Sequence, residues 1–314
     1  MHIIIAGGTG FIGQALVTSL LKQNIKVSVI GRSANNIAET FANQVNSLTW
    51  DQLESKHAVK YLQTVDAIIN LAGANIGSQR WNAARKQEII DSRVKPTQIL
   101  ANLCAQAGEA APPLLNANGI GIYGTQIDST AGLPPALTEQ SSLSLIAGTD
   151  FLAEVGRLWE QATAAAENAS VRVVKMRFAA VLGRDGGALA KMLPAYRLGL
   201  GGKVGSGHQP FSWVALDDLI KAIHFIIMHE QIRGPVNIVA PGAVSQLEFA
   251  QTLAEILHRP RFLTMPAGLI KLLFGQMGEE LLLHGQHISP DILLANGFVF
   301  DYPQLKPALE HILL

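Results

Sequence analysis

Seven residues near the start of the chain have the types and spacing to grip a diphosphate. Gly7, Gly8, Thr9, Gly10, Phe11, Ile12 and Gly13 follow the apolar run Met1 to Ala6 and precede Leu16, Leu20 and Leu21 at helical spacing. Gly8, Gly10 and Gly13 fit G-x-G-x-x-G, and Gly7, Gly10 and Gly13 fit G-x-x-G-x-x-G. Between a strand and a helix, one glycine allows the tight turn and one lets a pyrophosphate approach the backbone. Gly13 lets the helix lie close to the strand. Free N–H groups and the positive end of the helix dipole then face the phosphates. The alternative is a glycine turn that only shapes the chain; the strand-then-helix context argues against it.

Ile25 to Ile30 reads as a second buried strand, ending at Gly31-Arg32-Ser33. An NAD-selective fold places a carboxylate about twenty residues past the glycines to bind the ribose hydroxyls. Arg32 stands there instead, beside Ser33, and a guanidinium suits a 2′-phosphate through forked, charge-assisted hydrogen bonds. The competing reading is a solvated arginine at a strand end. Asp51, after a short third strand at Ser47 to Trp50, either accepts from an adenine amino group or makes an Asx turn or N-cap. Ala67 to Leu71 is a fourth strand. Small Ala72-Gly73 closes it and, with Leu71, offers a backbone along which a cofactor can lie.

Bulk composition limits the partners. The 314 residues suit one large domain or two, and 48% hydrophobic with 15% charged residues describes a globular chain. Twenty-four basic and 24 acidic residues balance, so no nucleic-acid or membrane partner is expected. A strand starting at residue 2 leaves no room for a signal peptide. No apolar run reaches the roughly 18 residues a membrane span needs, so the expected location is cytoplasmic. A lone Cys104 excludes an internal disulfide or a cysteine metal cluster, and no metal-ligand spacing appears.

Further along, Trp81 to Cys104 reads as a basic helix interrupted near Lys95-Pro96. Leu114 to Ala117 is a strand that ends in glycine-rich Asn118 to Gly124. Asp128 to Thr149 is a long loop of the kind that forms lids. Phe151 to Asn168 reads as one helix, Val171 to Arg177 as a strand, and Asp217-Asp218 as the N-cap of a helix over Leu219 to His229. Val236 to Val239 is the last strand expected. Helices follow at Gln246 to His258, Ala267 to Leu283 and Leu305 to Leu314. The fold class is α/β: a doubly wound Rossmann-type parallel sheet over residues 1–240, with 183–212 contributing to a substrate region. A small, mostly helical C-terminal domain covers 241–314.

The fingerprint, with Asn70-Leu71-Ala72-Gly73, Tyr123-Gly124, Arg177-x-x-x-Val181-x-Gly183 and Val214-x-x-Asp217-Asp218-Leu219, resembles the extended short-chain dehydrogenase/reductases of epimerase/dehydratase type. Arg80-Trp81, Ser92-Arg93-Val94, Phe151 to Val155, Trp159-Glu160 and Gly186 to Leu189 resemble the branch called nucleoside-diphosphate-sugar epimerase, and the tail resembles its small C-terminal domain of unknown function. The resemblance implies a bound NADP(H) and adds Arg93 and Arg177 to the cofactor contacts. It also shows what this chain has lost. The family's Tyr-x-x-x-Lys pair falls on Val155 and Trp159, neither of which moves a proton, and its serine falls on Asn118 or Gly119. The arginine that grips a sugar-nucleotide diphosphate is replaced by Phe211, after Gly205-Ser206-Gly207-His208-Gln209-Pro210.

Three residues remain as candidate proton or hydrogen-bond donors. Asn118 can act as an oxyanion-type donor, Tyr123 sits at a strand end, and Glu154 is a carboxyl one residue before the lost tyrosine. Each has a plain alternative: a turn tie, a packed ring, a solvated helix face. The first expectation is an oxidoreductase passing hydride between NADP(H) and a small, largely uncharged substrate. The second is a non-catalytic NADP(H) sensor or scaffold, and the third an epimerase of unusual mechanism. The oligomeric state is not legible.

Overall fold

The computed structural model describes residues 1–314 except 56, 127–129, 144–149 and 262. The N-terminal half alternates strand and helix: β1 (His2–Ala6), α1 (Phe11–Lys22), β2 (Lys26–Gly31), α2 (Ala34–Thr40), β3 (Asn46–Thr49), α3 (Trp50–Leu53), β4 (Ala67–Asn70), α4 (Ala83–Ala107), β5 (Leu114–Gly119), α5 (Phe151–Gln161), α6 (Ala164–Asn168) and β6 (Val173–Phe178). With Gly234–Ile238 these strands form one parallel sheet. Its order is Gly234–Ile238, β6, β5, β4, β1, β2, β3. The order reverses between β1 and β4, and such a reversal opens a crevice at the C-terminal ends of the strands.

From Ile3 to Ala6, β1 is apolar because both its faces are covered. Ile3 and Ile5 enter a core with Leu16, Val17 and Leu20 of α1, whereas Ile4 and Ala6 enter another with Leu100, Ala101 and Cys104 of α4. The C-terminal segment divides between the sheet core and a second cluster. Leu293, Phe298 and Phe300 join the α1 side of the sheet, and Leu305, Ala308 and Leu309 pack with Leu189, Trp213 and Phe249.

Several sequence expectations are corrected. α4 runs unbroken through Pro96. The Thr97 hydroxyl donates to the Arg93 carbonyl at 2.7 Å, and buried Ile89, Thr97, Leu100 and Ala101 hold one face against the molecule. The Phe151–Asn168 helix instead divides in two, where the Thr163 hydroxyl takes the Glu160 carbonyl (2.7 Å) and competes with the helical ladder. Asp217 and Asp218 do not cap a helix: it spans Leu216–Met228, with Ala215 at the N-cap. Asp218 is buried and accepts the N–H groups of Asp301 (2.8 Å) and Tyr302 (2.9 Å), anchoring the tail. Ala267 to Leu283 is interrupted at Gly275, whose φ of +59° ends the helix Ala267–Phe274.

Of the expected lid, residues 128–129 and 144–149 lie outside the described residues. The stretch between is tied down. Leu137 pairs with His287 and Ser289 through backbone hydrogen bonds, and Glu139 accepts the N–H of Asn237 at 2.9 Å.

Candidate functional site

The fingerprint turn is built by close backbone contacts. Gly7 has φ +76°, and a Cβ there would lie 2.7 Å from the Leu71 carbonyl, so the turn rests on the end of β4. A Cβ on Gly13 would lie 2.3 Å from the Gly7 oxygen, and one on Gly8 2.8 Å from Val29. Gly10 differs: its Cβ would meet only the Gly7 oxygen, at 3.3 Å. Gly10 is the N-cap of α1 and offers no capping side chain, so the first N–H groups, of Phe11, Ile12 and Gly13, face the crevice without one. Thr9 adds its carbonyl to the turn, accepting from the Gln14 amide at 2.8 Å. The Phe11 ring packs beneath Gly183, Gly186 and Gly187; a Cβ on Gly186 would come within 2.2 Å of it. The glycines past β6 therefore make room for a ring of the fingerprint.

At the end of β2, a cavity of about 400 Å³ is lined by Thr9, Gly31, Arg32, Ser33, Asn36 and Ile37. Ser33 caps α2, accepting the Asn36 N–H at 3.3 Å. Arg32 is exposed and forms no ion pair with any described residue. Asp51 is exposed in the first turn of α3 and is not its cap, because Thr49 and Gln52 form the capping box there.

At the end of β4, Ala72 donates its N–H to the Asn70 side chain (3.1 Å), and Gly73 lies against the Arg93 guanidinium. Arg93 donates to the carbonyls of Ala74 (3.0 Å) and Ile89 (3.1 Å) and stacks 5.0 Å over the Trp159 ring. Burial first, then the charge of Arg85, pushes the Arg93 pKa down to about 10, which still leaves it cationic at neutral pH. At the usual lysine position of α5 there is thus an indole that carries a cation from α4. The usual tyrosine position, Val155, lies in an apolar cluster with Trp81, Ile89 and Phe151, joined by Ile76 and Leu281.

The three candidate donors are not brought together. Asn118 is buried, and both amide hydrogens are taken, by the Gly156 carbonyl (3.1 Å) and Glu160 (2.9 Å). Tyr123 is buried and its pKa is raised by burial; its hydroxyl donates to Asn237 (2.8 Å) and accepts from Arg177 (2.8 Å). Glu154 is exposed on α5. Arg177, expected at the cofactor, instead forms a buried two-pronged pair with Glu160 at 2.8 and 2.9 Å. Tyr123 is a packed ring and Glu154 a solvated helix face, whereas Asn118 and Arg177 are tied to α5 through Glu160.

Sequence reasoning missed Glu160 and Asn237, and also the carboxyl pair at the start of α5. Glu280 accepts the N–H groups of Phe151 (3.0 Å) and Leu152 (2.9 Å), while Asp150 caps the same helix through Leu152 (3.2 Å) and Ala153 (3.3 Å). Burial foremost, with Asp150 adding to it, pushes the Glu280 pKa from 4.5 up to about 7. A raised carboxyl pKa means that the folded state holds a proton the unfolded chain releases. This contribution to stability is full below about pH 4.5 and is lost as the pH rises through about 7. Glu280→Gln has no proton to titrate but gives up an acceptor for the Phe151 or Leu152 N–H, so its urea midpoint is expected to rise relative to that of the wild type between about pH 4.5 and about pH 8. A difference between variant and wild type that is the same at both pH values would remove the account of a raised Glu280 pKa.

The sequence model of the NAD dependent epimerase/dehydratase family matches residues 3–239. This chain belongs to that family. Residues 265–312 match a second model, a domain of unknown function called DUF1731. Among relatives, the epimerase family protein Mb2239 of Mycobacterium bovis is 36% identical over 309 residues, 98% of this chain and 96% of its own. The human epimerase family protein SDR39U1 is 35% identical over 315 residues, 99% of each chain. A crystal structure of human SDR39U1 with NADPH superposes with a TM-score of 0.86 at 33% identity, covering 99% of both chains. The family assignment agrees with the resemblance drawn from the motifs, and the seven-stranded sheet with the Rossmann fold expected of it. No helix among the described residues is long and apolar enough to cross a membrane.

Proposed function

We propose that this chain binds NADP(H) along the C-terminal edge of its sheet and passes hydride between it and a small, largely uncharged substrate. The observation that carries the cofactor reading is Arg32: an exposed guanidinium, unpaired among the described residues, beside a cavity that reaches Thr9 and Ser33. No carboxylate is among the residues lining that cavity, so a 2′-phosphate finds a forked donor. The uncapped start of α1 and the open side of Gly10 suit a pyrophosphate. Leu71, Ala72 and Gly73 would support the cofactor's middle, with Asp51 near the adenine and Arg93 supplying the cation that the missing lysine gives elsewhere. The human relative solved with NADPH supports the same choice.

NADP(H), when bound, supplies the hydride. The protein's part is to orient it and to exclude water. The apolar wall of Ile76, Trp81, Phe151, Val155 and Leu281 favours an uncharged substrate. Phe211, partly buried against Phe249, stands where a diphosphate-gripping arginine would be. Asn118 and Tyr123 are committed to buried hydrogen bonds, so the proton comes from water or from exposed groups. The same commitment favours the second reading, a sensor that holds NADP(H) without turnover.

Arg32→Ala is expected to weaken NADPH binding by tenfold to a hundredfold, about 1.5–3 kcal/mol for hydrogen bonds to a charged group, and to leave NADH binding almost unchanged. Calorimetric titration with both cofactors reads this directly. An NADPH-to-NADH ratio unaltered by the substitution overturns the reading. Nicotinamide absorbance with a panel of ketones, aldehydes, quinones and enones then separates enzyme from sensor: tight NADPH binding without turnover on any of them selects the sensor.

A further inference from the structure

Two segments distant in sequence lie side by side on the outer surface of the C-terminal half. Gly202–Val204 pairs in parallel with Leu263–Met265, and a Cβ on Gly199 would lie 3.1 Å from Pro260. The helix Ala267–Phe274 follows directly. Ile270 is its one buried residue, on the inner side. Leu269, Leu272 and Leu273, at i, i+3, i+4 spacing, face outward. Leu198, Leu200 and Leu263 are exposed on or beside the paired segments, and exposures of 72% at Leu272 and 75% at Leu198 show side chains that project rather than line a groove. Exposed aliphatic side chains on or beside both paired segments and on the helix that follows mark a contact surface.

The two segments themselves carry charge of one sign. Residues 191–205 and 256–275 contain no Asp or Glu at all, in a chain whose 24 acidic residues equal its 24 basic ones. Arg197, Lys203, Arg259 and Arg261 lie in these segments and form no ion pair with a described residue. The remaining cation of the helix, Lys271, is held by Glu279 at 2.6 Å.

The occupant must tolerate projecting leucines and carry negative charge. A second copy of this chain would set unpaired cations against their own counterparts across a two-fold axis, and like charges brought together at an interface are costly. A bilayer needs no matching shape. It takes leucine side chains at the acyl boundary and places anionic headgroups against arginine and lysine. We infer that this face is a peripheral docking surface for an anionic lipid bilayer. The expectation of no membrane partner rests on charge averaged over the whole chain, whereas this inference rests on the local distribution.

The test is co-sedimentation of the full chain with vesicles of phosphatidylcholine alone and of phosphatidylcholine mixed with phosphatidylglycerol. Binding is expected on the mixed vesicles only, and added salt should release it. Arg259→Ala with Arg261→Ala should lower the partition coefficient about fivefold per charge removed. Leu272→Ser with Leu273→Ser should lower it at least tenfold while the urea midpoint stays unchanged. No sedimentation with either vesicle overturns the inference. So does equal binding to both vesicles that ignores the arginine substitutions. A dimer in solution that the leucine substitutions dissolve, without vesicle binding, assigns the face to a second copy instead. An acidic protein that occupies it, again without vesicle binding, assigns it to that partner. None of these outcomes depends on cofactor binding.

Discussion

Arg177→Met is expected to cost about 3–5 kcal/mol of folding stability, because it leaves a buried carboxylate without its counter-charge. Glu160 loses both prongs of the guanidinium, at 2.8 and 2.9 Å, and keeps only the Asn118 amide at 2.9 Å. Tyr123 loses the donor to its hydroxyl and keeps only its bond to Asn237. Urea unfolding at neutral pH measures the loss. Arg177→Met combined with Glu160→Leu should cost clearly less than the two single effects added, since the pair is removed together with its desolvation penalty. A loss below about 1 kcal/mol for Arg177→Met would mean the pair is solvated like a surface bridge. The same network bears on the chemistry. It joins β5, β6, α5 and the strand Gly234–Ile238 through their side chains, so Asn118 and Tyr123 act in the framework. Tyr123→Phe should therefore reduce stability and leave any turnover unchanged.

What the sequence revealed, and what it concealed, follows the range of the interactions. The β1–turn–α1 unit was legible because its determinants are local: an apolar strand, glycines whose missing side chains clear neighbouring backbone, and a helix directly after. Arg32 was legible for the same reason, being placed by the strand that precedes it. The buried polar network was not. Tyr123 and Asn237 stand 114 positions apart, and no periodicity signals that one will bond the other. One sign was available. On α5, Phe151, Val155, Trp159 and Glu160 share the buried side, and a carboxylate there demands a cation from elsewhere. Pro96 misled in the opposite direction: its local cost is real, but the packing of α4 outweighs it. The short pairings at Gly202–Val204 and Leu263–Met265 carry too few residues for any pattern to show.

The two glycines at the start of α1 separate packing from binding. Gly13→Ala puts a methyl group 2.3 Å from the Gly7 carbonyl and 2.6 Å from the Gly8 Cα, both rigid backbone. The strand and helix must part, which costs about 1–3 kcal/mol or more, and cofactor binding fails with the turn. Gly10→Ala meets a single atom at 3.3 Å, and its backbone at φ −80° and ψ 174° suits any residue. Its fold should therefore survive with a loss below about 1 kcal/mol, the N-cap preference being the main term. The added methyl would occupy space that the pyrophosphate needs, so NADPH affinity should drop at least tenfold, about 1.4 kcal/mol. Urea midpoints and NADPH titrations on both variants give four numbers. Stability lost at Gly13 and affinity lost at Gly10 together require a ligand lying against the open side of the turn. Full NADPH affinity in a well-folded Gly10→Ala variant would leave the turn a packing device and move the cofactor off the helix start.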